Sequence, residues 1–135
     1  MIFGFTCGSF DLLHAGHIAM LEEAKSKCDY LKVGLQTDPT IDRSHKNSPV
    51  QSMYERWKQL KAVKFVDEII PYDTEEDLLN LLHIETIDIR FVGGDYIDKT
   101  FTGMCDFPDR ILCLTKRKHS FSTTELRNRV VNASR

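Results

Sequence analysis

The stretch Gly8-Ser9-Phe10-Asp11-Leu12-Leu13-His14-Ala15-Gly16-His17 restricts what this chain can fold into more than any other. A short apolar run, Ile2-Phe3-Gly4-Phe5, precedes it, and Ile18, Leu21, Ala24 and Cys28 follow at helical spacing. The order is therefore strand, tight turn, helix. His14 and His17 fall at the start of the helix, where their imidazoles can project from one face of its first turn. Backbone N–H groups are unpaired at such a start and the dipole favours negative charge, so a phosphate chain is well held there. An isolated His-x-x-His usually marks no more than a solvated helix start. A preceding strand, a glycine turn and an interior Asp11 point instead to a binding site.

Size and composition restrict what surrounds this stretch. At 135 residues, with 41% hydrophobic and 28% charged residues, the chain is expected to form one soluble domain over residues 1–135. A net charge of −2 offers no bulk attraction to nucleic acid or to an anionic membrane, so a phosphate site has to be local. The apolar runs are too short to span a membrane and the N-terminus lacks the basic start of a signal peptide, which leads to a cytoplasmic expectation. Cys7, Cys28, Cys105 and Cys113 show no zinc-type spacing and read as reduced, mostly buried residues.

Further along, Tyr30 to Leu35 reads as a second strand, and residues 36–51 as a long polar loop carrying Lys46. Ser52-Met53-Tyr54-Glu55 has the capping-box pattern and opens a helix in which Arg56 lies off the face of Met53, Trp57 and Leu60. Val66 to Pro71 reads as a third strand, Thr74 to Asp77 as the cap of a leucine-rich helix, and Ile87 to Val92 as a fourth strand running into Gly93-Gly94-Asp95-Tyr96. Paired glycines before an aspartate let a backbone pass close to a ligand. Arg110 to Leu114 is a fifth strand, and Ser122-Thr123-Thr124-Glu125 caps a last helix just after the basic triplet Lys116-Arg117-Lys118, forming a second anion site. The expected fold is α/β: a Rossmann-like, open, mostly parallel five-stranded sheet with helices on both faces. Neither the dinucleotide fingerprint nor the phosphate loop is present, so helix ends and side chains have to hold the phosphate.

The first stretch resembles the (G/S)-(T/S)-F-D-x-x-H-x-G-H motif of the nucleotidyltransferase superfamily, and Arg117 with Phe121-Ser122-Thr123-Thr124 resembles the R-x-x-x-(I/V/F)-S-T-T motif of cytidylyltransferases. From Phe5 to Arg129 the chain looks similar to glycerol-3-phosphate cytidylyltransferases. The resemblance implies transfer of CMP from CTP to a small phosphorylated alcohol with release of pyrophosphate, Mg²⁺ or another divalent cation as cofactor, and a homodimer. It implies catalytic roles for His14, His17, Lys46 and Arg117, and nucleotide contacts from Gly8, Ser9, Phe10, Asp11, Gly16, Arg56, Gly93, Asp95, Ser122, Thr123 and Thr124, with Asp11 also meeting the metal. Two alternatives stand beside it. Gly93-Gly94-Asp95-Tyr96 looks more like sugar-phosphate adenylyltransferases of the ADP-heptose type, which use ATP, and a nucleotide-binding module without turnover is the other.

Overall fold

The computed structural model describes residues 1–93, 101–104, 108–113 and 121–134. The contacts expected at Asp95 and Arg117, the second glycine of the Gly93-Gly94 pair and Cys105 lie outside these residues. The elements run β1 (Phe3–Gly8), α1 (Ala15–Lys25), β2 (Tyr30–Gln36), α2 (Met53–Lys61), β3 (Glu68–Tyr72), α3 (Glu75–Ile84), β4 (Ile89–Val92), β5 (Ile111–Cys113) and α4 (Thr123–Ala133). The sheet order is β3-β2-β1-β4-β5 and every pairing is parallel. Its body is the four strands β3, β2, β1 and β4. The fifth strand expected over 110–114 contributes three residues alongside β4.

The side-chain alternation of β2 divides the core. Leu31, Val33 and Leu35 point to one face, where they pack with Leu21 and Ala24 of α1 and Leu60 of α2. On the other face Phe5 of β1 packs with Leu78, Leu81 and Leu82 of α3. Helices therefore cover both faces, as a buried parallel sheet requires. Each fully buried leucine or phenylalanine contributes about 1.5–3 kcal/mol relative to exposure.

Three local expectations shift. The apolar run ends at Phe5, yet β1 continues to Gly8, because Thr6, Cys7 and Gly8 pair with Val33, Gly34 and Leu35. A central strand keeps its ladder regardless of side-chain polarity. Cys28, expected on the stripe of α1, follows the helix end at Ser26 and reaches the first core cluster from the turn. Pro71 lies within β3, where a missing donor is tolerated because β3 is an edge strand.

The chain steps outward from β1 to β2 and β3, then crosses back to β4. The order thus reverses beside β1, and the carboxyl ends of β1 and β4 flank the crevice in which open α/β sheets bind ligands.

Candidate active site

Beyond β1 the backbone turns sharply, with Phe10 at φ 49° and Leu12 at φ 52°, both in the left-handed region that non-glycine residues rarely occupy. Each such residue costs on the order of 1–3 kcal/mol, so its surroundings have to hold it. Phe10 is held by burial in the core. The Leu12 N–H donates to Gln51 Oε1 at 2.7 Å. Between them, the Asp11 carboxylate accepts from the backbone N–H groups of Val50 at 2.8 Å and Gln51 at 2.9 Å. The turn is thus clamped to the segment leading into α2.

This turn delivers His14 to the N-cap of α1. His14 Nδ1 accepts from the Gly16 N–H at 3.0 Å, and the His14 N–H donates to His17 Nδ1 at 3.2 Å, a capping box built from two histidines. Their rings stack at 3.9 Å between centroids. Because each Nδ1 is an acceptor, each neutral ring carries its proton on Nε2 and can donate there. The residue between them must be small. A Cβ on Gly16 would come within 2.9 Å of His14 Cε1 and 3.1 Å of the Phe121 carbonyl.

The start of α4 meets the start of α1. Ser122 is its N-cap and accepts from the Glu125 N–H at 3.1 Å. The reciprocal half of the expected capping box is not formed, because Glu125 Oε2 faces Arg129 Nη1 at 3.5 Å. The Thr123 hydroxyl lies 3.3 Å from His14 Nε2 and 3.4 Å from the Asp11 carbonyl. One turn further, Arg127 Nη2 pairs with Asp11 Oδ2 at 2.8 Å. Burial alone would raise the Asp11 carboxyl, but the Val50 and Gln51 N–H groups and Arg127 together hold it below its ordinary value.

A pocket of about 190 Å³ opens here, and Ser9, Asp11, Lys46, Thr123, Thr124 and Arg127 are among its lining residues. Lys46 is exposed and stands on the long loop at the pocket's rim. The structure thus brings together expected residues from three distant parts of the chain. Two expectations are corrected. Arg56 does not face this pocket; it is 2% exposed and its guanidinium donates to the carbonyls of Ser9, Gln36, Thr37 and Gln51. It ties together the ends of β1 and β2 and the start of α2. Asp11 does not fit a metal ligand, because both its oxygens already accept from backbone and Arg127. Among the described residues no group of three or more His, Cys, Asp or Glu could hold a metal ion.

A larger cavity of about 620 Å³ fills the crevice between the ends of β1 and β4. It is lined by Cys7 and, with charged groups that sequence reasoning missed, by Arg43, Glu75 and Arg90; Gly93, expected at the nucleotide, is on its wall. Burial raises the Cys7 thiol, against the opposing influence of Arg90. Arg127 was also missed, although its position one turn after Thr123 put it on the same helix face. Arg90 carried a signal too, as a charge between Ile89 and Phe91 in a strand that a parallel sheet buries. No helix among the described residues is long and apolar enough to cross a membrane.

The fold and the sequence both have counterparts among known proteins. A crystal structure of the lipopolysaccharide core biosynthesis protein from Thermoplasma volcanium GSS1 superposes with a TM-score of 0.72 at 26% identity, covering 87% of this chain and 99% of that one. Pantoate-beta-alanine ligase from Francisella tularensis shares the fold, with a TM-score of 0.59 at 18% identity over 97% of this chain and 70% of that one. The bifunctional protein HldE of Caulobacter sp. (strain K31) is 41% identical over 101 residues, 74% of this chain and 20% of that protein. Its counterpart in Campylobacter jejuni subsp. jejuni serotype O:6 is 38% identical over 123 residues, 90% of this chain and 26% of that protein. The chain therefore spans about a fifth to a quarter of the length of these relatives. The family model described as cytidylyltransferase-like matches residues 5–129. That match runs from the first strand into the last helix and takes in the starts of α1 and α4, which meet at His14 and Thr123, so this chain belongs to the cytidylyltransferase-like family of nucleotidyltransferases.

Proposed function

We propose that this chain transfers an adenylyl group from ATP to a sugar phosphate and releases pyrophosphate. The expectation of CTP with glycerol-3-phosphate yields to its alternative, because the relatives described above carry the name HldE and Gly93-Gly94-Asp95-Tyr96 resembles the ADP-heptose type. In this reaction an acceptor phosphate oxygen attacks the α-phosphorus. A new P–O bond forms, the bond from the α-phosphorus to the bridging oxygen breaks, and pyrophosphate leaves with that electron pair. The acceptor phosphate is largely ionised near neutral pH, since its second pKa is about 6, so a general base is not needed. Alignment and charge stabilisation are needed.

The observation that carries this reading is the histidine capping box. It uses both Nδ1 atoms as acceptors for backbone N–H groups and so places the proton of each neutral ring on Nε2, where His14 meets the Thr123 hydroxyl and would turn to a phosphate oxygen when the nucleotide binds. Lys46, Thr123, Thr124 and Arg127, which line the pocket that Thr123 joins to His14, add charge and donors. Arg117 adds a further cation by resemblance. A divalent cation arrives with the triphosphate as part of the substrate, in keeping with the engaged state of Asp11. Assembly as a homodimer follows from resemblance and is read by light scattering.

Pyrophosphate release decides between the readings, with ATP and CTP each crossed against sugar 1-phosphates and glycerol-3-phosphate. ATP with a sugar 1-phosphate should be the fastest pair. Faster release from CTP with glycerol-3-phosphate would restore the cytidylyl reading, and tight nucleotide binding without release from any pair would leave a binding module.

A further inference from the structure

The larger cavity holds a charged network that the nucleotidyl transfer described above does not use. Arg43 Nη2 pairs with Glu75 Oε1 at 2.6 Å, and the Thr102 hydroxyl donates to Glu75 Oε2 at 3.1 Å. Arg90 donates to the Thr102 carbonyl and lies 5.0 Å from the centroid of the Phe101 ring. Arg90 is 6% exposed, so one of these cations is almost wholly withdrawn from water. The network is held from two sides. The Glu75 N–H donates to Asp42 Oδ2 at 2.8 Å, and a Cβ on Gly103 would come within 2.9 Å of Arg90 Nη1.

One donor in this network has no acceptor: Arg43 Nε is buried and makes no hydrogen bond. A buried N–H left in this way is costly, and its side chain lines a cavity of about 620 Å³, large enough for a small ligand. The cavity wall also includes Met20, one turn along α1 from His17, and Cys7 at the end of β1, the strand that leads into the histidine turn.

We propose that this cavity is the acceptor's subsite, with Glu75 and Arg43 as specificity-determining residues that hold the hydroxyls of a sugar phosphate. This rests on the reading of the chain as a sugar-phosphate nucleotidyltransferase. A carboxylate accepts from hydroxyl groups, guanidinium groups donate to hydroxyl and phosphate oxygens, and the Phe101 ring offers an apolar face to the C–H face of a sugar. A short phosphate ester or an apolar one would leave these polar groups unmatched, and such a mismatch is what discriminates between substrates.

Titration calorimetry on the full chain tests this without depending on turnover, using a non-hydrolysable ATP analogue, mannose 1-phosphate, a heptose 1-phosphate and glycerol-3-phosphate as separate probes. Glu75→Gln should weaken binding of at least one sugar 1-phosphate by about tenfold or more, change glycerol-3-phosphate binding less, and leave binding of the ATP analogue unaltered. Arg43→Met should act in the same direction. Weaker binding of the ATP analogue with unchanged sugar-phosphate affinity would overturn the proposal and assign the cavity to the base. A wild-type chain that binds no sugar 1-phosphate, with or without the analogue, would also overturn it. If sugar phosphate binds and Glu75→Gln weakens it while the wild-type chain releases no pyrophosphate, the subsite stands and the transfer reading falls.

Discussion

The hydroxyl of Thr123 lies 3.3 Å from Nε2 of His14, joining the starts of two helices that are 109 residues apart in sequence. The start of α4 lines the pocket, the start of α1 stands directly behind it, and the hydroxyl touches the nitrogen that the capping box leaves protonated. Thr123→Val keeps the shape and removes the oxygen. The rate should fall about tenfold through loss of one pocket-facing hydrogen bond, with melting temperature little changed, as read by steady-state kinetics and thermal denaturation together. Unchanged kinetics would remove Thr123 from the site.

His14 has two roles, as cap and as donor, and substitution can separate them. His14→Ala loses both, so stability should drop by about 1 kcal/mol along with the rate. Asparagine is a favoured N-cap but carries no group where Nε2 stood. His14→Asn should therefore melt close to wild type while kcat falls by roughly a hundredfold. A normal kcat in a folded His14→Asn chain would reduce the histidine to a cap.

Arg56 is expected to act on folding. Its guanidinium serves four main-chain carbonyls, and the single ammonium of Arg56→Lys cannot reach all of them. Stability should fall by on the order of 2–3 kcal/mol, measured by urea denaturation, with nucleotide KM little changed at temperatures where the variant is folded. A raised KM without loss of stability would return Arg56 to the phosphates.

How much of this could be read in the sequence depends on how local each cause is. The caps at Ser52 and Thr74 were legible because a capping side chain bonds its own helix, and the histidine stretch because its spacing carries the chemistry. Arg56 was misread because its carbonyl partners come from the ends of two strands that only the folded sheet brings together. Glu75 looked like an ordinary acidic residue at a helix start, and its partners Arg43 and Thr102 reach it from separate loops. The run of β1 past Phe5 was hidden for a similar reason, since neighbouring strands and not side-chain polarity set where a central strand stops.

Asp11 gives the fold a defined response to acid. Its carboxyl is held below the ordinary value, so the stability it contributes is fully present above the ordinary aspartate range and is lost as pH falls through the lowered value. Melting temperature measured from neutral pH into the acid range should fall less steeply in Asp11→Asn, which cannot titrate there, than in wild type. Asp11→Asn should also start lower, because Arg127 is left without its carboxylate. Parallel curves for the two proteins would show that another group governs the acid transition.

The transfer itself is read most directly by ³¹P NMR of the chain with ATP, Mg²⁺ and a sugar 1-phosphate, which observes each phosphorus. The sugar phosphate and ATP signals should decline together. They should be replaced in equal amounts by free pyrophosphate and by the paired signals of a nucleoside diphosphate sugar. Conversion of ATP to ADP and inorganic phosphate with the sugar phosphate untouched would contradict it, as would an unchanged spectrum across the sugar 1-phosphate panel under conditions in which calorimetry shows both substrates bound.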